Sequence, residues 1–389
     1  IKRTSKHLNN PKKDSQYLSE LEIHLQNAID SQSIADVPLG AFLSGGIDSS
    51  LIVAIASGYV DKLKTFTVKF EDSYDESSLA KLTAKKYKTD HTEIQLSMNL
   101  KDDVEKILQR YGEPFMDSSA IPSYYVSREA KKHVTVVLNG DGADELFGGY
   151  RRYVPVGNNF IKVASYFSFL AEYIPKPNNK KSIYNYIFRM LMISNKLGID
   201  YYNSSTNDIF EDVYKFKSNE TFKEMDSFIQ SINNEDISEL SKVMLMDFNI
   251  ILRNDLLKKM DIATMANSIE GRSPFLSKYM LELAPTLSDK LKVNGMSTKF
   301  ILRELSKKYL SNELIRQPKR GFEVPLKKWV NEDIKENIFD SLKQNSYSCQ
   351  FIEWKFINKL LHGKIKVSDE KRAKMLWTLY CLEVWKNAQ

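Results

Sequence analysis

Val37-Pro38-Leu39-Gly40-Ala41-Phe42-Leu43-Ser44-Gly45-Gly46-Ile47-Asp48-Ser49-Ser50-Leu51-Ile52-Val53-Ala54-Ile55-Ala56 decides the fold. Val37–Leu43 is a short apolar run that reads as a strand, since a proline is tolerated near a strand's start. It stops at two glycines. Ser49-Ser50 then opens an apolar stretch that ends near Gly58, which reads as a helix. A glycine-rich turn between strand and helix can bring several backbone N–H groups to one anion, helped by the positive end of the helix dipole. No lysine of the GxxxxGK[ST] kind sits in the turn, so the pattern is not that of a Walker loop. Asp48 in such a loop is costly unless it holds a cation, and Mg²⁺ bridging it to phosphate oxygens is the natural candidate.

Outward from this turn the rhythm repeats. Residues 65–70, 91–96 and 134–138 read as strands, with helices near 76–86, 101–111 and 122–131 between them. Leu18, Leu21, Leu25, Ala28 and Ile29 mark an amphipathic helix ahead of the first strand. The alternation predicts an α/β fold with a doubly wound parallel sheet over residues 14–154. Residues 1–13 read as a linker or disordered lead-in. Past about Tyr150 no further strand is expected, so residues 155–389 form a mainly helical portion, with a loop at Pro175–Lys181. Tyr166, Phe167 and Phe169 read as core.

A second motif follows the strand at 134–138: Asn139-Gly140-Asp141-Gly142-Ala143-Asp144-Glu145-Leu146-Phe147-Gly148-Gly149-Tyr150. Loops at the carboxyl ends of a doubly wound sheet converge on the ligand crevice, so this acidic loop and the serine-glycine loop are expected to meet. Three carboxylates in five residues suit a magnesium ion and a polyphosphate.

In this order and spacing the two loops resemble the synthetase domain of glutamine-dependent asparagine synthetases, adenylating enzymes of the N-type ATP pyrophosphatase (PP-loop) class. Asp261–Leu276 (DIATMANSIEGRSPFL) is similar to that family's acceptor-side motif, Lys299–Glu304 to its K-x-x-L-R segment, and Arg316–Phe322 to the late loop carrying a catalytic lysine. The resemblance implies ATP in the loop Ser44, Gly45, Gly46, Asp48 and Ser49, with adenine near Leu43 and Val68 and with Asn139 and Gly140 close by. It implies Mg²⁺ on Asp48 and Asp144, Lys319 at the α-phosphate, Lys299 as a second phosphate contact, and Asp141 and Asp261 in the catalytic set. The implied reaction is adenylation of a carboxylate with release of pyrophosphate, then displacement of AMP by ammonia. Aspartate is the first acceptor expected; a uronic acid of a surface-polysaccharide precursor and macrolactam closure are the alternatives. Asp141 stands where asparagine synthetases carry glutamate, and Glu113–Pro122 lacks the arginine of the comparable segment. No glutaminase portion resembles anything here, so ammonia is expected free or from a glutaminase domain or partner.

Composition excludes other classes. The 389 residues are 42% hydrophobic and 27% charged, and a net charge of +6 calls for no nucleic acid or membrane partner. Cys349 and Cys381 cannot build a disulfide framework, the five histidines are scattered, and no apolar run spans a bilayer. A cytoplasmic protein results, with a homodimer as a further expectation. The first residue is Ile1, so the chain is expected to be a fragment or a processed piece of something longer.

Overall fold

A computed structural model describes residues 12–69, 77–95, 98–158, 160–175, 183–194, 201–202, 209–210, 213–214, 223–317 and 324–389. Residues 1–11, Phe70, Glu76, Leu96, the stretch 176–181 and Lys319 therefore lie outside the described residues.

Helix α1 (Asp14–Ser33) buries Tyr17, Leu21, Leu25, Ala28 and Ile29 along one stripe. Strand β1 (Leu39–Phe42) leads through the glycine turn into α2 (Ile47–Ala56), in which all but Asp48 are buried. β2 (Lys64–Lys69), α3 (Ser77–Tyr87), β3 (Asp90–Gln95), α4 (Leu100–Gln109), α5 (Ala120–Ala130) and β4 (Val136–Leu138) follow. All adjacent strands pair in parallel in the order β3-β2-β1-β4-β5.

The fifth strand corrects the expectation that strands end near Tyr150. β5 (Glu270–Arg272) pairs with β4, Val136 opposite Glu270 and Leu138 opposite Arg272. Its three residues include two charges and a glycine and none is buried, so no apolar alternation betrays it.

Period-two alternation divides the strands between two cores. Leu39, Ala41, Leu43, Val136 and Leu138 face α1 and α2 and join the largest cluster. Phe66, Ile94 and Val137 face the opposite side, against Val126 and Ala130 of α5. The chain runs β1-β2-β3 outward on one side of β1 and places β4-β5 on the other, so β1 and β4 flank the point where strand order reverses.

Beyond β4 come α6 (Ala143–Phe147), α7 (Phe160–Ser165), α8 (Ile183–Ile193), α9 (Leu257–Met265), α10 (Phe300–Tyr309) and α11 (Asp369–Asn387). α9 continues directly from a π-helical turn, Phe248–Leu256. Leu302 and Leu305 of α10 enter the same core as α2, so the helical portion closes over the sheet.

Tyr166, Phe167 and Phe169 are not core. They are 80%, 51% and 58% exposed, because Ala164, Ala171 and Leu191 face the interior of this segment instead.

Candidate active site

The crevice lies at the carboxyl ends of β1 and β4, where strand order reverses. Ser44, Gly45 and Gly46 form a tight turn with Gly45 at φ +80°, a conformation that glycine adopts without penalty. Ser49 Oγ of α2 ties the turn together: it lies 3.1 Å from Ser44 Oγ, accepts from Ser44 N at 3.2 Å and donates to Gly46 O at 3.2 Å. The turn is thereby fixed with its amides at the head of a ten-residue helix. The two loops meet. A methyl group at Gly140 would stand 3.2 Å from Asp48 Cβ and 3.4 Å from Ser49 N.

Asp48 and Asp144 converge on one cation, the ammonium of Lys299. Its Nζ is 2.5 Å from Asp48 Oδ2 and 2.8 Å from Asp144 Oδ1, and the lysine is 2% exposed. Lys299 itself sits at φ 53°, in the left-handed region, just before α10. For a residue with a Cβ that conformation costs about 1–2 kcal/mol. Gly149 is required beside it, since a Cβ there would fall 1.8 Å from Asp144 Oδ1 and 2.4 Å from Lys299 Cε. Asp48 Oδ1 is buried with no hydrogen-bond partner among the described residues.

Glu145 lies behind this triad, 2% exposed, and accepts a hydrogen bond from Tyr150 Oη. Burial, then the neighbouring Asp144 charge, push its carboxyl up to about 7. The folded state thus holds a proton that the unfolded chain releases near the ordinary glutamate value of 4.5. Stability must then fall as pH rises through this window, by up to about 3 kcal/mol. Urea melts of Glu145→Gln are expected to lack that slope and to show a more stable protein than the wild type at pH 8. An unchanged pH profile would sink this assignment.

Tyr150 carries Arg152 on its ring at 4.3 Å, and Arg152 pairs with the fully buried Asp247 at 2.7 Å. The acidic loop is thereby braced against the helix that leads into the π-helical turn.

Asn139 is pinned from β5. Its amide N–H donates to Arg272 O at 2.9 Å, and its Oδ1 accepts from Ser273 Oγ at 2.6 Å and Asp141 N at 3.2 Å. A cavity of about 340 Å³ opens beside it, lined by Asn139, Asp141, Lys258, Asp261 and Ser273 among others. Asp141 and Asp261, 120 positions apart in the chain, therefore share one wall-set. Behind it, Lys259 reaches Asp117 Oδ2 at 2.8 Å and Ser119 Oγ at 2.9 Å, which places a lysine from α9 against the arginine-free segment.

Leu43 is 1% exposed, packed into the core below the crevice, whereas Val68 is half-buried on β2. Lys319 lies outside the described residues, but the segment before it is anchored: Arg303 of α10 donates to the carbonyls of Ile315 and Gln317.

The asparagine synthase family model matches residues 20–387, nearly the whole chain. The chain belongs to the asparagine synthase family. It is 31% identical to glutamine-hydrolyzing asparagine synthetase 1 of Bacillus subtilis over 96% of this chain and 59% of that protein. A putative glutamine-hydrolyzing asparagine synthetase of Mycobacterium bovis is 28% identical over 96% of this chain and 58% of its own length. A shorter match, 44% over 129 residues, links it to a putative asparagine synthetase of Methanocaldococcus jannaschii. The chain thus spans about three-fifths of the first two relatives.

Membership of the asparagine synthase family gives the parallel sheet its PP-loop character. Several residues that build the site carry little sequence signal. Ser273 and Arg303 lie inside family-like segments without a chemistry of their own. Glu145 had one: a carboxylate among Ala143, Leu146 and Phe147 must be buried if that helix packs.

Proposed function

We propose that this chain is the adenylating part of an ATP-dependent amide-forming ligase, with asparagine from aspartate as the leading product. The observation that carries the reading is the convergence of Asp48 and Asp144 on a single cation, directly beside the glycine turn that heads α2.

Two neighbouring carboxylates form the kind of donor set that magnesium takes in nucleotide sites. Asp48 Oδ1, buried and unpartnered, fits such a ligand. Bound there, Mg²⁺ would neutralise charge on the pyrophosphate. The turn amides and the α2 N-terminus orient the phosphates. Lys299 keeps the two carboxylates together and supplies positive charge close to them. Lys319, which follows in sequence the segment that Arg303 anchors, is assigned to supply charge at the α-phosphate as pyrophosphate leaves. Asn139, held by Ser273, fixes the wall between the nucleotide and the neighbouring cavity.

That cavity is the proposed acceptor site. A carboxylate bound there attacks the α-phosphorus of ATP, giving an acyl-adenylate and pyrophosphate; ammonia then displaces AMP. Catalysis of the first step is largely positioning. Asp141 and Asp261 favour an acceptor that carries an ammonium group, as aspartate does and a uronic acid does not. The relatives are named as glutamine-hydrolyzing asparagine synthetases, which supports asparagine as the product. Ammonia would come from a glutaminase domain or partner.

The test is pyrophosphate release with ATP, Mg²⁺ and ammonium, comparing aspartate, a panel of uronic acids and no acceptor, with products identified by mass. Aspartate-dependent release with asparagine formed supports the full reading. Turnover only with a uronic acid keeps the mechanism and replaces the acceptor.

A further inference from the structure

The second residue of α9 faces the cavity proposed for the acceptor. Lys258 lines that space together with Asp261 and Thr264, which follow at intervals of three, so one face of the helix forms a wall. Asn139 and Asp141 of the acidic loop and Ser273 just after β5 belong to the same lining. Among the described residues of this lining the charges are two carboxylates, Asp141 and Asp261, and one ammonium, that of Lys258.

The next residue, Lys259, is committed elsewhere. It is 9% exposed and closed off by Asp117 Oδ2 at 2.8 Å and Ser119 Oγ at 2.9 Å. Lys258 lies about 100° round the helix and is placed differently. Its ammonium meets Glu113 Oε2 at 2.5 Å, with the two side chains 35% and 43% exposed. A pair so open to water contributes little to stability. An ammonium also has three donors, and one glutamate does not exhaust them. The lysine can therefore engage a second carboxylate at small cost.

An amino acid with two carboxylates asks three things of such a cavity. Its reacting carboxylate must reach the α-phosphorus, its ammonium needs an anion, and its other carboxylate needs a cation. Asp141 and Asp261 answer the ammonium but would by themselves repel the other carboxylate. Lys258 supplies the opposite sign on the same wall as Asp261. Resting on the reading of this cavity as the acceptor site, we infer that Lys258 binds the acceptor carboxylate that is not adenylated. It thereby selects an amino dicarboxylate over an amino monocarboxylate. Glu113, outside the lining, holds the ammonium beside the cavity and shares it with the incoming carboxylate.

The test compares L-aspartate with β-alanine, which keeps the ammonium and the reacting carboxylate but lacks the other one. kcat/KM for pyrophosphate release is measured with each, at saturating ATP, Mg²⁺ and ammonium, for the wild type, Lys258→Met and Glu113→Gln. The wild type should favour aspartate by at least about tenfold. Lys258→Met should cut kcat/KM for aspartate about ten- to a hundredfold, chiefly through KM, the scale of a lost hydrogen bond to a charged group. It should also bring the two acceptors close to parity. Glu113→Gln breaks the same ion pair, yet should keep the preference for aspartate with KM unchanged or lower. Both variants should melt near the wild type, since the pair is exposed. A preference retained in Lys258→Met, or equal losses in the two variants, overturns the role of Lys258 and leaves the acceptor reading standing. A wild type without aspartate-dependent pyrophosphate release overturns both.

Discussion

Lys299→Met is expected to destabilise the protein by about 3 kcal/mol and to lower pyrophosphate release at least a thousandfold. Removing one partner of a buried ion pair leaves the other charges uncompensated, which costs about 3–5 kcal/mol. Here two carboxylates are left, Asp48 and Asp144, both largely buried. The variant makes a second, sharper demand. If those carboxylates are the proposed magnesium ligands, Mg²⁺ should raise the melting temperature of Lys299→Met more than that of the wild type, because binding to the folded state alone stabilises it. Calorimetry with and without Mg²⁺ reads this directly. A variant that melts like the wild type and ignores Mg²⁺ would remove both the lysine's structural role and the proposed metal site.

Asp48→Ala should do the converse. It removes the carboxylate with the unpartnered Oδ1 but leaves Lys299 paired with Asp144 Oδ1 at 2.8 Å, so the fold should survive. Pyrophosphate release should fall about a thousandfold or more, the scale of losing a group that stabilises transition-state charge. Far-UV circular dichroism and the melting curve, expected near those of the wild type, separate lost chemistry from lost structure. Unchanged turnover would eliminate Asp48 from the nucleotide chemistry.

Much of the sheet was legible because its inner strands are apolar and punctuated. Residues 37–43, 65–70, 91–96 and 134–138 read as strands, and β1 to β4 fall within one or two residues of those bounds over the described residues. The glycine turn was legible for a similar reason: two adjacent glycines between strand and helix have few structural uses. What escaped was anything whose meaning lies in a distant partner. β5 is a strand because β4 offers it a ladder, not because Glu270-Gly271-Arg272 prefers extension. Lys299 stands 251 positions from Asp48, and no spacing rule joins them. The exposed aromatics failed in the opposite direction. Residue type argued for burial, and only the packing shows that Ala164, Ala171 and Leu191 took the interior instead.

The strand at 270–272 also has a consequence for how the molecule comes into being. β4 ends at Leu138, and its outer neighbour is synthesised more than 130 residues later. Until then one edge of the nascent sheet offers unpaired backbone groups to any passing strand. Asn139 lacks the carbonyl of Arg272 and the hydroxyl of Ser273 over the same interval, and the acidic loop lacks Lys299. Closing contacts of such long sequence separation are slow steps. Biogenesis of this crevice therefore belongs to the late phase of translation, when a chaperone covering the bare edge of β4 would have the most to prevent.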